Sequence, residues 1–160
     1  MTIADFDQME PAKKKEMLYS CCPSDAWVKS MLGVFPVEDL IDLLECAEEK
    51  WYECNAAEWL EVFHDHHKVD ELSNSAQPFI SAEPGLVDFS KEQFDELVKG
   101  CHEYEETFGY NFIVFVNDKT PAQIIQILKE RLNNDSNEEL IIAAAEQNRI
   151  NQSRLKKLFV

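Results

Sequence analysis

Apolar residues along most of this chain recur with the period of a helix rather than of a strand. Pro11 to Tyr19 predicts a helix, with Pro11 in the first turn, where a missing N–H costs little. Cys22-Pro23-Ser24-Asp25 interrupts it, and Ser24 is placed to cap a short helix carrying Trp27, Val28 and Met31. Beyond Phe35-Pro36, Leu40, Leu43, Leu44, Ala47 and Trp51 share one face of a helix starting near Val37, with acids on the other face. Asn55 is placed to cap the next helix, whose apolar positions are Ala57, Leu60, Val62 and Phe63 and whose end falls near His66.

Residues 67–89 carry no helical period and contain Pro78, Pro84 and Gly85. Long irregular stretches inside compact domains are disproportionately functional. Ser90 then caps a helix with Phe94, Leu97, Val98, Cys101, Tyr104 and Phe108 on one stripe, stopped by Gly109. Phe112 to Val116 is a continuous apolar run with strong β-propensity. Alone it cannot form a sheet, so a short buried extended segment is expected. Thr120-Pro121 opens a helix with Ile124, Ile125, Ile127, Leu128 and Leu132, Asn134-Asp135-Ser136 breaks it, and a last helix covers roughly Asn137 to Leu158. The pattern predicts an all-α chain, a single-domain helical bundle over 1–160 with about seven to nine helices.

Composition narrows the function. Hydrophobic residues at 45% argue against disorder, and only four Gly and six Pro favour long helices over a many-stranded sandwich. The formal charge is −16, from 15 Lys+Arg against 31 Asp+Glu. Such a surface repels phosphate backbones and anionic lipid heads, so neither nucleic acid nor membrane is an expected partner. An anionic small molecule needs cations focused at one place, and the arginines are Arg131, Arg149 and Arg154. The five cysteines form no CxxC, no leader-like N-terminus is evident, and no apolar run approaches about 18 residues, the length of a membrane span. A reducing, cytoplasmic setting with bland thiols is the simplest reading.

Tyr104-Glu105-Glu106-Thr107-Phe108-Gly109-Tyr110-Asn111-Phe112-Ile113-Val114 resembles a signature of the 2-oxo-4-hydroxy-4-carboxy-5-ureidoimidazoline (OHCU) decarboxylases. Glu130-Arg131-Leu132-Asn133-Asn134-Asp135, Glu139-Leu140, Ala144 to Ile150 and Arg154-Leu155 follow at family-like spacing. Upstream, Trp59-Leu60-Glu61 leads to a histidine where the family carries His-Pro, and Ser24 to Trp27 is also similar. The likeness is strong from residue 90 onward, fair before 66 and poor between. It implies an all-α domain that removes a carboxylate from OHCU as CO2 and yields (S)-allantoin in urate and purine breakdown. It implies no metal and no organic cofactor, an anionic ureidoimidazoline as the small-molecule partner, and is compatible with a homodimer.

By the same resemblance His66 is the catalytic acid/base. Its place at a helix C-terminus favours the imidazolium form; an exposed helix-end histidine is the plain alternative. His67 stands where the family has proline, so the helix stop is less sharp and His67 itself becomes a candidate for the pocket. His64, His66 and His67 with Asp65 lack the i, i+4 spacing of helical zinc ligands, so no metal is assigned. Arg154 matches the substrate-binding arginine of the family; it shares a helix face with Ile150 and offers a planar fork to a carboxylate or ureido group. Arg131 is assigned to structure and Arg149 to a solvated face. The family glutamate has two candidate positions. Counting back from Gly85-Leu86 gives Ser81-Ala82-Glu83, with Glu83 one place out of register; counting forward from His66 gives Ala76. The site is thus His66 and Glu83 as catalytic groups, with Arg154, His67, Ser81, Phe112 and Ile113 against substrate, the last two through their backbone. The competing reading is a catalytically degenerate homologue that binds a small heterocycle or a protein partner without turnover. A third is related chemistry on another ureide.

Overall fold

The structure is a computed structural model that describes residues 1–65, 89–117 and 119–159. Among the described residues it contains eight α-helices and no strand. These are α1 (Ile3–Asp7), α2 (Pro11–Cys21), α3 (Asp25–Leu32), α4 (Leu40–Glu53), α5 (Ala56–Asp65), α6 (Lys91–Phe108), α7 (Pro121–Arg131) and α8 (Ser136–Leu158).

Most boundaries follow from caps. Thr2, Ser90 and Thr120 each accept from the backbone N–H three residues on, and Asp5, Gln93 and Gln123 reach back to the cap N–H, making three capping boxes. Ser24 and Asp39 cap α3 and α4 with their side chains, and Asn55 Oδ1 accepts from the Glu58 N–H at 2.9 Å. Pro11 and Pro121 occupy the first helical positions of α2 and α7. Gly109 ends α6 in the left-handed conformation, at φ +85°. The hydrophobic period did not disclose α1, which is a single capped turn and a half with one buried side chain, Phe6. The expected start of α4 near Val37 moves to Leu40, because Asp39 rather than an earlier residue supplies the cap. Ala57 is exposed rather than part of the α5 face, which narrows to Val62 and Phe63 with Leu60 half-buried.

The chain divides into two compact units, Met1–Val62 with Asn148–Val160, and Phe63–Gln147. In the first, Trp27, Trp51, Phe6, Leu18, Met31 and Leu43 are fully buried together with Ile150 and Leu155. Two of the three indoles donate to backbone carbonyls of this unit: Trp27 Nε1 to that of Ala47 and Trp59 Nε1 to that of Trp51, each at 3.0 Å. The Phe35-Pro36 peptide bond is cis.

In the second unit Phe63, Leu97, Tyr104, Phe112, Ile113, Val114 and Leu128 form the core. α6 and α7 pack closely where Gly100 leaves room for Leu128; a Cβ there would lie 2.5 Å from Leu128 Cδ2. Residues 110–116 cross this core without forming a helix or strand, and all but Phe115 are buried. That agrees with a short buried segment in place of a sheet.

Candidate active site

The apolar segment after α6 is held by side chains, because among the described residues no neighbouring strand supplies its hydrogen bonds. Arg131, at the end of α7, is 5% exposed and Glu139, in the first turns of α8, is fully buried. Arg131 Nε and Nη2 both lie 2.6 Å from Glu139 Oε1, and Nη1 donates to the Ile113 carbonyl at 2.6 Å. The guanidinium carbon sits 4.6 Å from the centre of the Phe112 ring. Tyr104 donates its hydroxyl to Glu139 Oε1 at 2.6 Å, and Asn134 donates to Oε2 at 3.1 Å. Burial is the main cause that pushes the Tyr104 phenol far up, with Glu139 adding to it, so it remains a donor. Charge, counter-charge and hydrogen bonds thus close on one another inside the core, as a buried ion pair requires.

Two more side chains secure the segment. Asn111 Nδ2 donates to the Phe63 carbonyl in the last described turn of α5 at 2.8 Å, and the Phe115 N–H donates to Glu146 at 3.4 Å. The tie from Asn111 fastens the segment to the helix end that leads into His66. Among the described residues, none accepts a hydrogen bond from the backbone N–H of Phe112, Ile113 or Val114. Their residues are at most 1% exposed. Each buried unpaired donor costs about 1–3 kcal/mol, so a run of them calls for an acceptor.

Arg154 lies in the other unit, on the last turns of α8, where it is half-buried. Its Nη1 donates to the Cys21 carbonyl at 3.1 Å, which fastens it to the α2–α3 turn. Asn151, one helical turn earlier on the same face, is 1% exposed and hydrogen-bonds Cys22. The nearby thiols are not nucleophiles. Burial raises Cys21 to about 11 despite the opposing pull of Arg154, and raises the fully buried Cys22 further. Cys54 is likewise raised to about 11, chiefly by burial, and all five cysteines are free.

Of the residues singled out by sequence, Phe112 and Ile113 stand side by side in the buried segment, and Arg154 stands against the Cys21 carbonyl. His66, His67, Ser81 and Glu83, with the alternative Ala76, lie outside the described residues. Arg131 has the structural role expected of it and Arg149 is exposed. The closed Tyr104–Arg131–Glu139 cluster and the Asn111 tie were not foreseen as contacts. A signal for the cluster exists: Arg131 continues the Ile124–Leu128 stripe of α7, and Glu139 begins the Ala143–Gln147–Ile150 stripe of α8. A charge on each of two apolar stripes invites pairing.

A family model described as OHCU decarboxylase matches residues 7–156. The curated relatives include a uric acid degradation bifunctional protein TTL of Arabidopsis thaliana, 29% identical over 150 residues that make up 87% of this chain and 45% of that protein. Another is a uric acid degradation bifunctional protein of Bacillus sp. (strain TB-90), 31% identical over 92 residues, 58% of this chain and 18% of that one. The chain therefore spans less than half the length of either. Among solved structures, an OHCU decarboxylase crystallised in the presence of (S)-allantoin superposes with a TM-score of 0.75 at 29% identity, over 91% of this chain and 97% of that one. An (S)-allantoin synthase shares the fold at a TM-score of 0.74 and 14% identity, over 98% and 54% of the two chains. With the model running through the caps, the buried 110–116 segment and the arginine of α8, the chain belongs to the OHCU decarboxylase family.

Proposed function

We propose that this chain is a carboxy-lyase that converts OHCU to (S)-allantoin without a metal or organic cofactor, within urate breakdown. The observation that carries the reading is the family match spanning residues 7–156 on a chain that superposes on an OHCU decarboxylase. The same span supports treating 1–160 as one family domain.

In this reading the substrate's C–CO2 bond breaks, its electron pair passes into the imidazoline ring, and a proton delivered to one face sets the configuration of the product. His66 moves that proton, and Glu83 orients it or a substrate N–H. Arg154 is assigned the carboxylate or ureido group, and His67 and Ser81 are assigned to substrate binding. The backbone at Phe112 and Ile113 contributes donors in the manner of an oxyanion site: buried, preset and short of partners among the described residues. The −16 charge of the chain makes such localised donors necessary for an anionic substrate. A reducing cytoplasm suits five free thiols, and no described helix is long and apolar enough to cross a membrane.

The test is to mix the purified protein with freshly generated OHCU, following its ultraviolet absorbance and the circular dichroism of the allantoin formed. Acceleration over buffer, returned to the spontaneous rate by His66→Ala, is the expected result. A folded protein no faster than buffer would instead favour the homologue that binds without turnover.

A further inference from the structure

We propose that Arg131 is a positioning residue for the decarboxylation, gripping the Ile113 carbonyl so that the buried Val114 N–H, on the far side of the same peptide, is presented to the substrate. This rests on the reading of the chain as an OHCU decarboxylase. The peptide between Ile113 and Val114 is planar and trans, so its C=O and N–H point in opposite directions. Arg131 Nη1 holds that carbonyl at 2.6 Å. The Val114 N–H is thereby turned away from the ion pair, and it finds no acceptor among the described residues.

The grip is rigid because the guanidinium is itself fixed. Two nitrogens meet Glu139 Oε1, a third meets the Ile113 carbonyl, and one face covers the Phe112 ring. Glu139 in turn is pinned by Tyr104 and Asn134. An apolar pair of the same volume would fill the core but could not donate to a carbonyl. Arg131 thus links the order of the core to the direction of the main-chain donors. A lysine at this position would keep the charge and lose the plane that joins Glu139 to Ile113.

Arg131→Lys in the full chain tests this, with circular dichroism and thermal unfolding to establish the folded fraction. Expected is a fall in kcat of about tenfold to a hundredfold per folded molecule, since small misplacements of preset groups act on the transition state. KM should change by less than about threefold, because ground-state contacts are largely kept. Tyr104→Phe, which removes one hydrogen bond that pins Glu139 but leaves the Arg131 grip on Ile113, should lower stability and reduce kcat by less than Arg131→Lys does. In 15N-labelled protein, (S)-allantoin should shift the amide signals of Phe112 to Val114, and Arg131→Lys should diminish those shifts. If Arg131→Lys does not fold, Glu139→Gln is expected to show the kcat loss instead. A folded Arg131→Lys (or its replacement) with full kcat and unchanged allantoin shifts overturns the positioning role alone. Wild-type protein without activity overturns the decarboxylase reading, and this role with it.

Discussion

In the proposed function Arg154 serves both the fold and a ligand. Its Nη1 donates to the Cys21 carbonyl, which fastens the arginine to the α2–α3 turn, and the guanidinium is planar and charged at every physiological pH. Arg154→Lys keeps the charge and removes the fork. We expect it to raise KM for OHCU by about tenfold, the value of one charge-assisted hydrogen bond, with a loss of about 1 kcal/mol of stability from the Cys21 contact. Steady-state kinetics beside urea denaturation separates the two effects. An unchanged KM with lowered stability would confine Arg154 to holding the turn.

The elements show where local chemistry is decisive. α6 begins in a capping box at Ser90 and ends at Gly109, whose φ of +85° an L-residue with a Cβ adopts at a cost. A Cβ on Gly109 would meet nothing within 4 Å, so the penalty is one of backbone alone. Gly109→Ala should therefore lower unfolding free energy by about 1 kcal/mol, and Gly109→Asn by less, since asparagine tolerates the left-handed region. Chemical denaturation of the two variants measures it; equal losses would mean that side-chain crowding, not φ, governs the position. The turn matters because it launches the 110–116 segment, so the same substitutions also probe how tightly the candidate donors are placed.

On the scale of the whole molecule, the thiols give stability a direction with pH. Cys21 and Cys54 are raised from the ordinary 9.0 to about 11, and Cys22 and Cys101 are raised further, in each case chiefly by burial. A raised folded value means that the folded state binds the proton more tightly than the unfolded chain. The resulting stability is fully present below pH 9.0 and is lost as pH climbs toward about 11. Unfolding temperature under reducing conditions should thus fall steeply across that alkaline window, and Cys22→Ala should flatten the slope. A wild-type profile flat to pH 11 would refute it.

The linear pattern determined the all-α class, the caps at Ser24, Asn55 and Ser90, the opening at Thr120-Pro121, the stop at Gly109, and a largely buried non-helical run at 112–116, because period, propensity and capping act over a few residues. The family motifs, also linear, brought forward His66, His67, Ser81, Glu83 and Arg154 with the 112–113 backbone. α1 escaped notice because a turn and a half is too short to show a period, and only its capping box and Phe6 hold it. Tertiary structure alone decided what serves the buried segment. Tyr104, Arg131 and Glu139 come from three different helices, so the stripe positions of the two charges signal their burial but not that all three close around the Ile113 carbonyl. Likewise, Asn111 reaches a carbonyl 48 residues away in sequence. Local interactions choose the elements; which charge is buried, and which carbonyl it turns, depends on packing between parts that the chain keeps far apart.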